Sequence, residues 1–431
     1  MRIRKAMFPV QYFLMVLIPV IVIPVLSEVV LALARYPIAP LIRASNPPNY
    51  KTTIQNIEFI HEFSTNRMGI RYPEIPISKP SREKRVLMLG DSYTEGLGVS
   101  FEKTFGALLE DKFSSANQSV RFINGGLTGT GPLEYAKLFY FVGLKYKPDT
   151  VLIILHTNDL SDTLVIPKEI LRNPKAWREI SGKSHPIKKI VHSLFPRLYT
   201  LLKMLKEKGG RNRPFNLIER TKKEARERGI AQENIDTWIS KLPKDLLDAA
   251  NRREFNPNIL TASLIDPDRW TKNIDLEGEG VQEGWSAMLE ILGSIVQISN
   301  EKRIPVGIIF TPSPLHYDAE YWAFQRELGM MIKSEWAERE TVLERKLKRW
   351  AESQGLPFLN LAPNFRGLPL PERKKLYYPI DGHWTPKGHE FVSEIIKKWL
   401  TANKNIIAWT HESNNKELKT LELVQQGGRG I

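Results

Sequence analysis

Short apolar runs alternate with helical patterns along most of the chain. Runs typical of buried strands occupy residues 85–89, 120–124, 150–156, 305–310 and 357–361. Apolar positions at helical spacing occupy residues 105–114, 133–146, 285–300, 319–354 and 386–400. Strands that alternate with helices in this way are typical of a parallel sheet covered on both faces. The pattern therefore predicts an α/β fold, a three-layer α/β/α sandwich with a mostly parallel sheet.

The start of the chain has a different pattern. A basic cluster ending at Lys5 precedes residues 6–27, which are apolar and contain no charged side chain. Their length is close to the roughly 20 residues that cross a bilayer. Basic residues favour the cytoplasmic side, so residues 1–34 are predicted to be a single-pass membrane anchor, with the remaining chain periplasmic or extracellular. A signal peptide cleaved after Ala32-Leu-Ala34 is the alternative.

Composition divides the rest of the chain. Residues 35–81 are rich in Pro, Asn, Ser and Thr and are predicted to be a linker, with some strand near residues 57–59. Residues 82–400 carry the α/β pattern, which a helical insertion interrupts at about 163–275. Apolar residues from Ile187 to Leu205 in the insertion, interleaved with lysines, predict a basic amphipathic helix that lies on an anionic membrane or packs on the main domain. Residues 401–431 are polar and are expected to form a flexible tail.

Charge and cysteine content limit the functional classes. The chain of 431 residues has no cysteine, which excludes disulfides and thiol chemistry. Its formal net charge of +14 favours anionic surroundings such as phospholipid headgroups or acidic polysaccharide. No recognised nucleic-acid-binding motif accompanies this charge, so we expect no nucleic-acid partner.

Candidate chemistry lies where the apolar runs end. The strand at 85–89 stops at Gly90-Asp91-Ser92, a turn that presents the Ser92 hydroxyl at the carboxyl end of the strand, where it can act as a nucleophile. Three further blocks follow, each at or beyond a predicted strand. They are Asn124-Gly-Gly-Leu-Thr-Gly129, His156-Thr-Asn158-Asp159 and Asp381-Gly-His383. In this order the four blocks resemble those of the SGNH (GDSL-type) hydrolase superfamily.

The resemblance implies an SGNH/flavodoxin-like domain over residues 82–400 that acts as a serine esterase. Ser92 would be the nucleophile, His383 the general base and Asp381 the residue that orients the imidazole. The oxyanion hole would comprise the backbone N–H groups of Ser92 and Gly129 and the side-chain amide of Asn158. The family's chemistry needs neither a cofactor nor a metal. The expected substrate is a glycan or lipid with O-linked acyl groups, most simply acetyl.

The sequence departs from the family pattern in two places. His156 replaces a glycine of the third block, and its side chain would either narrow the site or turn into the core. Asp381 and His383 are two residues apart instead of three, a spacing similar to that in polysaccharide O-acetylation enzymes of the same superfamily. An O-acyltransferase acting on polysaccharide, supplied by a membrane acyl-donor partner, is therefore the alternative function. His389 also lies in the last block, but after Pro386 it is expected to anchor the loop by a hydrogen bond.

Overall fold

The computed structural model of the protein describes residues 18–36, 38, 45–115, 119–182, 186–211, 215–403 and 405–407. The strands are β1 (Lys51–Gln55), β2 (Ile60–Ser64), β3 (Glu83–Gly90), β4 (Ser119–Gly126), β5 (Thr150–His156), β6 (Val306–Thr311) and β7 (Phe358–Asn360). The first helices are α1 (Ile23–Leu33), α2 (Ser92–Glu95), α3 (Phe105–Phe113), α4 (Pro132–Phe141), α5 (Asp159–Leu164), α6 (Lys168–Arg172), α7 (Trp177–Gly182), α8 (Pro186–Leu194), α9 (Pro196–Arg211) and α10 (Leu217–Glu227). They are followed by α11 (Gln232–Lys241), α12 (Lys244–Asn251), α13 (Pro257–Ile265), α14 (Arg269–Ile274), α15 (Val281–Glu301), α16 (Ala323–Glu327), α17 (Val342–Ser353), α18 (Ala362–Arg366), α19 (Leu370–Arg373) and α20 (Pro386–Ala402).

The central sheet has five strands in the order β4-β3-β5-β6-β7. All four pairings are parallel, with Gly90 opposite Gly126 and Leu89 opposite Ile153. The predicted α/β fold with a parallel sheet is confirmed. The order is that of flavodoxin-like sheets, in which the chain reverses its direction of strand addition next to the first strand. Here that switch point lies between β3 and β5, at their carboxyl ends.

Alternate residues of the buried strands face two separate cores. Leu87 and Leu89 of β3 pack with α4 and α15 on one face of the sheet. Val86 and Met88 pack with α3 and α20 on the other. Successive side chains of a strand point to opposite faces, so a strand with helices on both sides is apolar at every position, as the sequence pattern indicated.

The segment predicted to be a linker is packed against the sheet domain. Strands β1 and β2 form an antiparallel hairpin, in which Lys51 pairs with Ser64. The strand expected near residues 57–59 is instead the turn of this hairpin. Further along, Ile70 and Tyr72 join the core beside α4, and the buried Arg71 donates hydrogen bonds to backbone carbonyls at the end of α2.

The insertion is helical, and its residues Leu217, Trp238 and Leu260 belong to a small third core that also includes Leu328 of the segment after β6. The expected amphipathic helix is divided into α8 and α9, because Pro196 starts a new helix. Its apolar residues do not pack on the sheet: Ile187, for example, is 63% exposed. Helix α9 instead contacts α1.

The prediction of a single-pass anchor in residues 1–34 is wrong for the described part of the chain. No helix there has the length and apolar character needed to cross a membrane. A π-helical turn at Ile18–Val22 leads into α1, whose 11 residues span about 16 Å against the roughly 30 Å of a bilayer core. The periplasmic or extracellular location rested on this anchor and is corrected with it. Residues 1–17 of the predicted segment lie outside the described residues.

Helix α1 is held in place by the charged side chain of Glu28, which directly follows the apolar residues 6–27. Glu28 accepts hydrogen bonds from the backbone N–H groups of Arg197 and Leu198, at 3.0 and 2.9 Å, and its carboxylate lies 3.3 Å from the Arg197 guanidinium. A carboxylate at these first N–H groups of α9 also meets the positive end of the helix dipole. The place of α1 in the fold is therefore set by a contact between two residues that are 169 positions apart in the sequence.

Two expectations near the end of the chain also differ from the structure. The long helix expected at 319–354 is divided into α16 and α17, with a 3₁₀ turn at Ser334–Ala337 between them. Thr341 starts α17 with a capping box, in which its hydroxyl and the Glu344 carboxylate bond to each other's backbone N–H. Of the predicted tail, helix α20 includes residues up to Ala402, and residues 408–431 lie outside the described residues.

Candidate active site

Ser92 begins helix α2 directly after β3. Asp91 caps this helix by accepting a hydrogen bond from the Tyr93 N–H at 2.9 Å. A Cβ atom at Gly90 would clash with the Thr94 side chain, so the turn has room only for glycine. The turn places the Ser92 hydroxyl at the switch point of the sheet, next to the end of β5.

His383 is brought to Ser92 from the other end of the chain. Its Nε2 lies 2.7 Å from the Ser92 Oγ, and its Nδ1 is hydrogen-bonded to the Asp381 carboxylate. In this arrangement Nδ1–H donates to Asp381 and Nε2 accepts the serine proton. Gly382 between them has a φ of +89°, which L side chains rarely adopt, and this lets both neighbours turn toward the site. The structure thus brings the three predicted residues together as a triad.

The environment of His383 favours its charged form. Burial lowers the pKa of the imidazole, but the charge and hydrogen bond of Asp381 outweigh it, so the pKa is raised above 6.5. The Tyr93 ring packs against His383 with centroids 4.7 Å apart, and its hydroxyl donates to the Gly382 carbonyl at 2.8 Å. The imidazole is therefore fixed on one side by a carboxylate and on the other by an aromatic ring.

The hairpin β1–β2 contacts the loop that carries Asp381. The Asn56 amide donates to Oδ2 of Asp381 at 3.0 Å, and the Glu58 carboxylate accepts the backbone N–H groups of Ile380 and Asp381. Sequence reasoning missed both residues. They lie in the predicted linker, more than 320 positions before Asp381, and no local pattern marks them.

The predicted oxyanion donors line the same cavity as Ser92. Gly129 follows β4 with a φ of +70°. Within the described residues, the backbone N–H groups of Ser92 and Gly129 donate to no other group. The Asn158 amide nitrogen donates to Asp162 at 2.7 Å, which leaves its second N–H for a ligand. The three predicted donors thus line one cavity, and Asp162 holds the amide of the third.

A buried carboxylate connects the serine helix to the loop before Gly129. Glu95 accepts hydrogen bonds from the N–H and hydroxyl of Thr128 and from the Asn46 amide. Burial raises the pKa of Glu95, while these hydrogen bonds oppose that effect. Arg71 donates to the Glu95 backbone carbonyl at 3.0 Å. Asn46 and Arg71 also belong to the predicted linker.

The two other histidines near the site are held neutral. Burial lowers the pKa of His156, whose Nδ1 bonds to the Thr311 carbonyl at 2.8 Å while its ring stacks on Tyr93. The side chain is thus tied to β6 and lines the cavity at the same time. His389 accepts the Phe105 N–H at 3.2 Å, and burial lowers its pKa to about 3. This hydrogen bond ties α20 to the start of α3, whereas the sequence led us to expect one that anchors the loop of the last block.

The site opens into a cavity of about 610 Å³. The insertion and the segment after β6 supply most of its remaining wall. Aromatic rings, amides and arginines share this wall: Phe255, Trp270, Tyr321 and Trp322; Asn256, Asn258 and Gln325; Arg253 and Arg269. In the part of the chain that the structure describes, no three His, Asp or Glu side chains are grouped as metal ligands.

Comparison with known proteins gives matches among solved structures. No family model and no curated protein matches the chain. The matching structures include a lipase/acylhydrolase from Enterococcus faecalis (13% identity, 73% of this chain and 94% of that one, TM-score 0.33) and an acetyl xylan esterase (11%, 74% and 97%, 0.33). A GDSL-like lipase from Bacteroides thetaiotaomicron matches similarly (12%, 74% and 89%, 0.32). The low identities and TM-scores support no functional conclusion, which has to rest on the site itself.

Proposed function

We propose that the protein is a serine esterase of the SGNH (GDSL-type) superfamily that hydrolyses O-acyl esters through an acyl-enzyme on Ser92. The observation that carries the proposal is the continuous chain from Ser92 Oγ through the His383 imidazole to the Asp381 carboxylate. Beside it lie two backbone N–H groups that donate to no other described residue. A nucleophile bonded to an oriented base, next to unused donors, is the arrangement that acyl transfer requires.

The geometry supports the following steps. His383 Nε2 takes the Ser92 proton as Oγ attacks the ester carbonyl, and the carbonyl oxygen becomes an oxyanion near Ser92, Gly129 and Asn158. Asp381 stabilises the imidazolium. His383 then gives the proton to the alkoxide, which departs as the alcohol. The acyl group remains on Ser92. Water, deprotonated by His383, attacks this ester, the acid departs, and Ser92 recovers its proton.

The cavity wall supports an acylated glycan or lipid as the substrate. Pockets for small ligands combine apolar and aromatic surface with a few polar groups that fix orientation. Flat rings such as Trp270 and Trp322 offer apolar faces for a sugar ring or a lipid chain, and the nearby amides can bond to hydroxyl groups. We infer that the scissile acyl group is small, with acetyl as the simplest case, and that most of the cavity accommodates the alcohol part of the ester.

The direct test uses an aryl acetate and a fluorophosphonate probe. The parent protein should hydrolyse the ester and be labelled by the probe, because only an activated serine reacts. Ser92→Ala should abolish both, whereas Ser240→Ala, at an exposed serine of α11, should behave as the parent does. Hydrolysis by Ser92→Ala at the parental rate would refute the assignment of the nucleophile.

Transfer of the acyl group to a sugar hydroxyl is the second candidate. The observation that favours it is the short spacing between Asp381 and His383 in the sequence. Aryl acetate supplied together with glycan fragments separates the two functions. Formation of acylated sugar in preference to free acetate would establish a transferase, and free acetate with every acceptor would establish a hydrolase.

A further inference from the structure

We propose that the hairpin β1–β2 is a positioning element of the catalytic triad. Asn56 and Glu58, in the turn of this hairpin, hold Asp381 in the orientation in which its carboxylate is hydrogen-bonded to His383. This inference rests on the proposed esterase function. It extends the site to a segment that the sequence classes as a linker, and it assigns roles to two residues outside the four sequence blocks.

The first step is the hydrogen bonding of the Asp381 carboxylate. One oxygen bonds to His383 Nδ1, and the other accepts from the Asn56 amide at 3.0 Å. The side chain of Asp381 is only 4% exposed, so little water can replace either partner. Asn56 therefore limits rotation of the carboxylate about its Cβ–Cγ bond, which sets the direction of the hydrogen bond to the imidazole.

The second step is the backbone of the same loop. Glu58 accepts the N–H of Ile380 at 2.9 Å with one oxygen and the N–H of Asp381 at 2.6 Å with the other. A carboxylate has two acceptor oxygens, whereas a side-chain amide has one. Glu58 thus fixes the peptide groups from which the Asp381 side chain projects, while Asn56 fixes the carboxylate itself.

The third step is the rigidity of the turn that carries both residues. Asn56 Oδ1 accepts the Glu58 N–H at 3.2 Å, and the Asn56 N–H donates to the Phe59 carbonyl at 2.8 Å. The Ile57 N–H donates to the Glu254 carbonyl of the insertion at 2.9 Å. The turn is therefore held both internally and from outside, as an element that positions another group requires.

Tyr378 connects the loop that carries Asp381 and His383 to two other segments. The Phe59 ring packs on Tyr378 with centroids 4.9 Å apart, the Tyr378 hydroxyl donates to the Gly98 carbonyl at 2.9 Å, and the Tyr378 N–H donates to the His383 carbonyl at 2.8 Å. These contacts connect the hairpin and the loop after α2 to the loop that carries Asp381 and His383, so that the three form one unit around the triad.

The decisive variant is Asn56→Ala. The released Asp381 carboxylate would no longer align with Nδ1, so kcat should fall about 10–100-fold, as expected for loss of one hydrogen bond to an ionised group, with KM unchanged. Because Asp381 raises the pKa of His383, its release should move the acidic limb of the kcat/KM profile to lower pH. The other groups facing His383 remain in place in this variant, namely Asp91, Glu95, Glu58, His156 and His389.

Matched variants separate positioning from general stability. Glu58→Gln keeps one acceptor and should lose less activity than Glu58→Ala. Thr53→Ala removes an exposed cross-strand hydrogen bond to Glu62 in the same hairpin and should leave both activity and pH profile unchanged. If Asn56→Ala does not fold, the ordering of the two Glu58 variants decides the question.

The outcomes distinguish this proposal from the function on which it rests. A parent protein that neither hydrolyses esters nor reacts with fluorophosphonate would remove the esterase function and the positioning role with it. An active parent, an inactive Ser92→Ala and an Asn56→Ala variant with parental kcat and pH profile would overturn the positioning role alone. An equal loss in Asn56→Ala and Thr53→Ala would also overturn it.

Discussion

The two sides of Ser92 are built in different ways. On the acid–base side, which comprises His383 and Asp381, both carboxylate oxygens of Asp381 are hydrogen-bonded. The backbone N–H groups of Ile380 and Asp381 also have partners. On the oxyanion side, the N–H groups of Ser92 and Gly129 donate to no other described residue, and the side-chain oxygen Oδ1 of Asn158 is buried without a hydrogen-bond partner among the described residues.

The difference follows from when charge is present. The carboxylate of the acid–base side is charged before substrate arrives, so its hydrogen bonds can be completed in the resting protein. The oxyanion exists only in the transition state, and donors that are already satisfied could not stabilise it. The acid–base side is thus closed by a distant segment of the chain, and the oxyanion side is left open to the ligand.

Removal of the base should have the largest effect. His383→Ala leaves Ser92 without a proton acceptor, and kcat should fall about 10⁴-fold, as in other disrupted triads. His389→Ala is the matched control, since His389 bonds to Phe105 and not to Ser92. Turnover of an aryl acetate measures both variants. An active His383→Ala beside a folded but inactive His389→Ala would reverse their roles.

Removal of an oxyanion donor should have the next largest effect. Asn158→Ala leaves the triad intact, so fluorophosphonate labelling should persist while kcat falls about 10²–10³-fold. KM should change little, because the interaction forms in the transition state. A variant that raises KM with kcat unchanged would show that Asn158 binds the substrate ground state instead.

His389 should affect stability and not chemistry. His389→Ala leaves the Phe105 N–H without its partner, so the free energy of unfolding should fall by about 1–3 kcal/mol. The folded chain keeps His389 neutral, with a pKa of about 3, while the unfolded chain protonates it near 6.5. The parent therefore loses this stability as pH falls from 6.5 toward 3, and denaturant unfolding at two pH values should show the difference between parent and variant shrinking in acid.

The last prediction concerns Asp162, whose side chain accepts a hydrogen bond from the Asn158 amide. Burial raises the pKa of Asp162 to about 6, so the folded chain retains a proton that the unfolded chain releases near 3.8. Stability is then lost as pH rises from about 4 to about 6. Asp162→Asn removes this loss and should be more stable than the parent at pH 8 but not at pH 4. Denaturant unfolding at both values is the measurement, and a variant that is less stable at pH 8 would contradict it.

Much of the candidate site follows from the sequence, because local patterns marked where each strand ends. Ser92, Gly129 and Asn158 follow β3, β4 and β5, and the carboxyl ends of parallel strands meet at one edge of a sheet. Asp381 and His383 are neighbours in the chain, so their contact also required little tertiary information. The four-block resemblance picked these residues out of the sequence, and the parallel sheet is the reason why the strand ends that precede them meet.

Only the tertiary structure decided which other segments complete the site. Asn56 and Glu58 approach Asp381 across more than 320 positions, and Glu28 meets Arg197 across 169. Each is a single polar residue whose neighbours predict a linker or an apolar helix. Periodicity in a sequence reports which face of an element is buried, since burial repeats with every turn or pleat. A hydrogen bond between two distant residues has no such repeat, so it becomes visible only when folding brings them together.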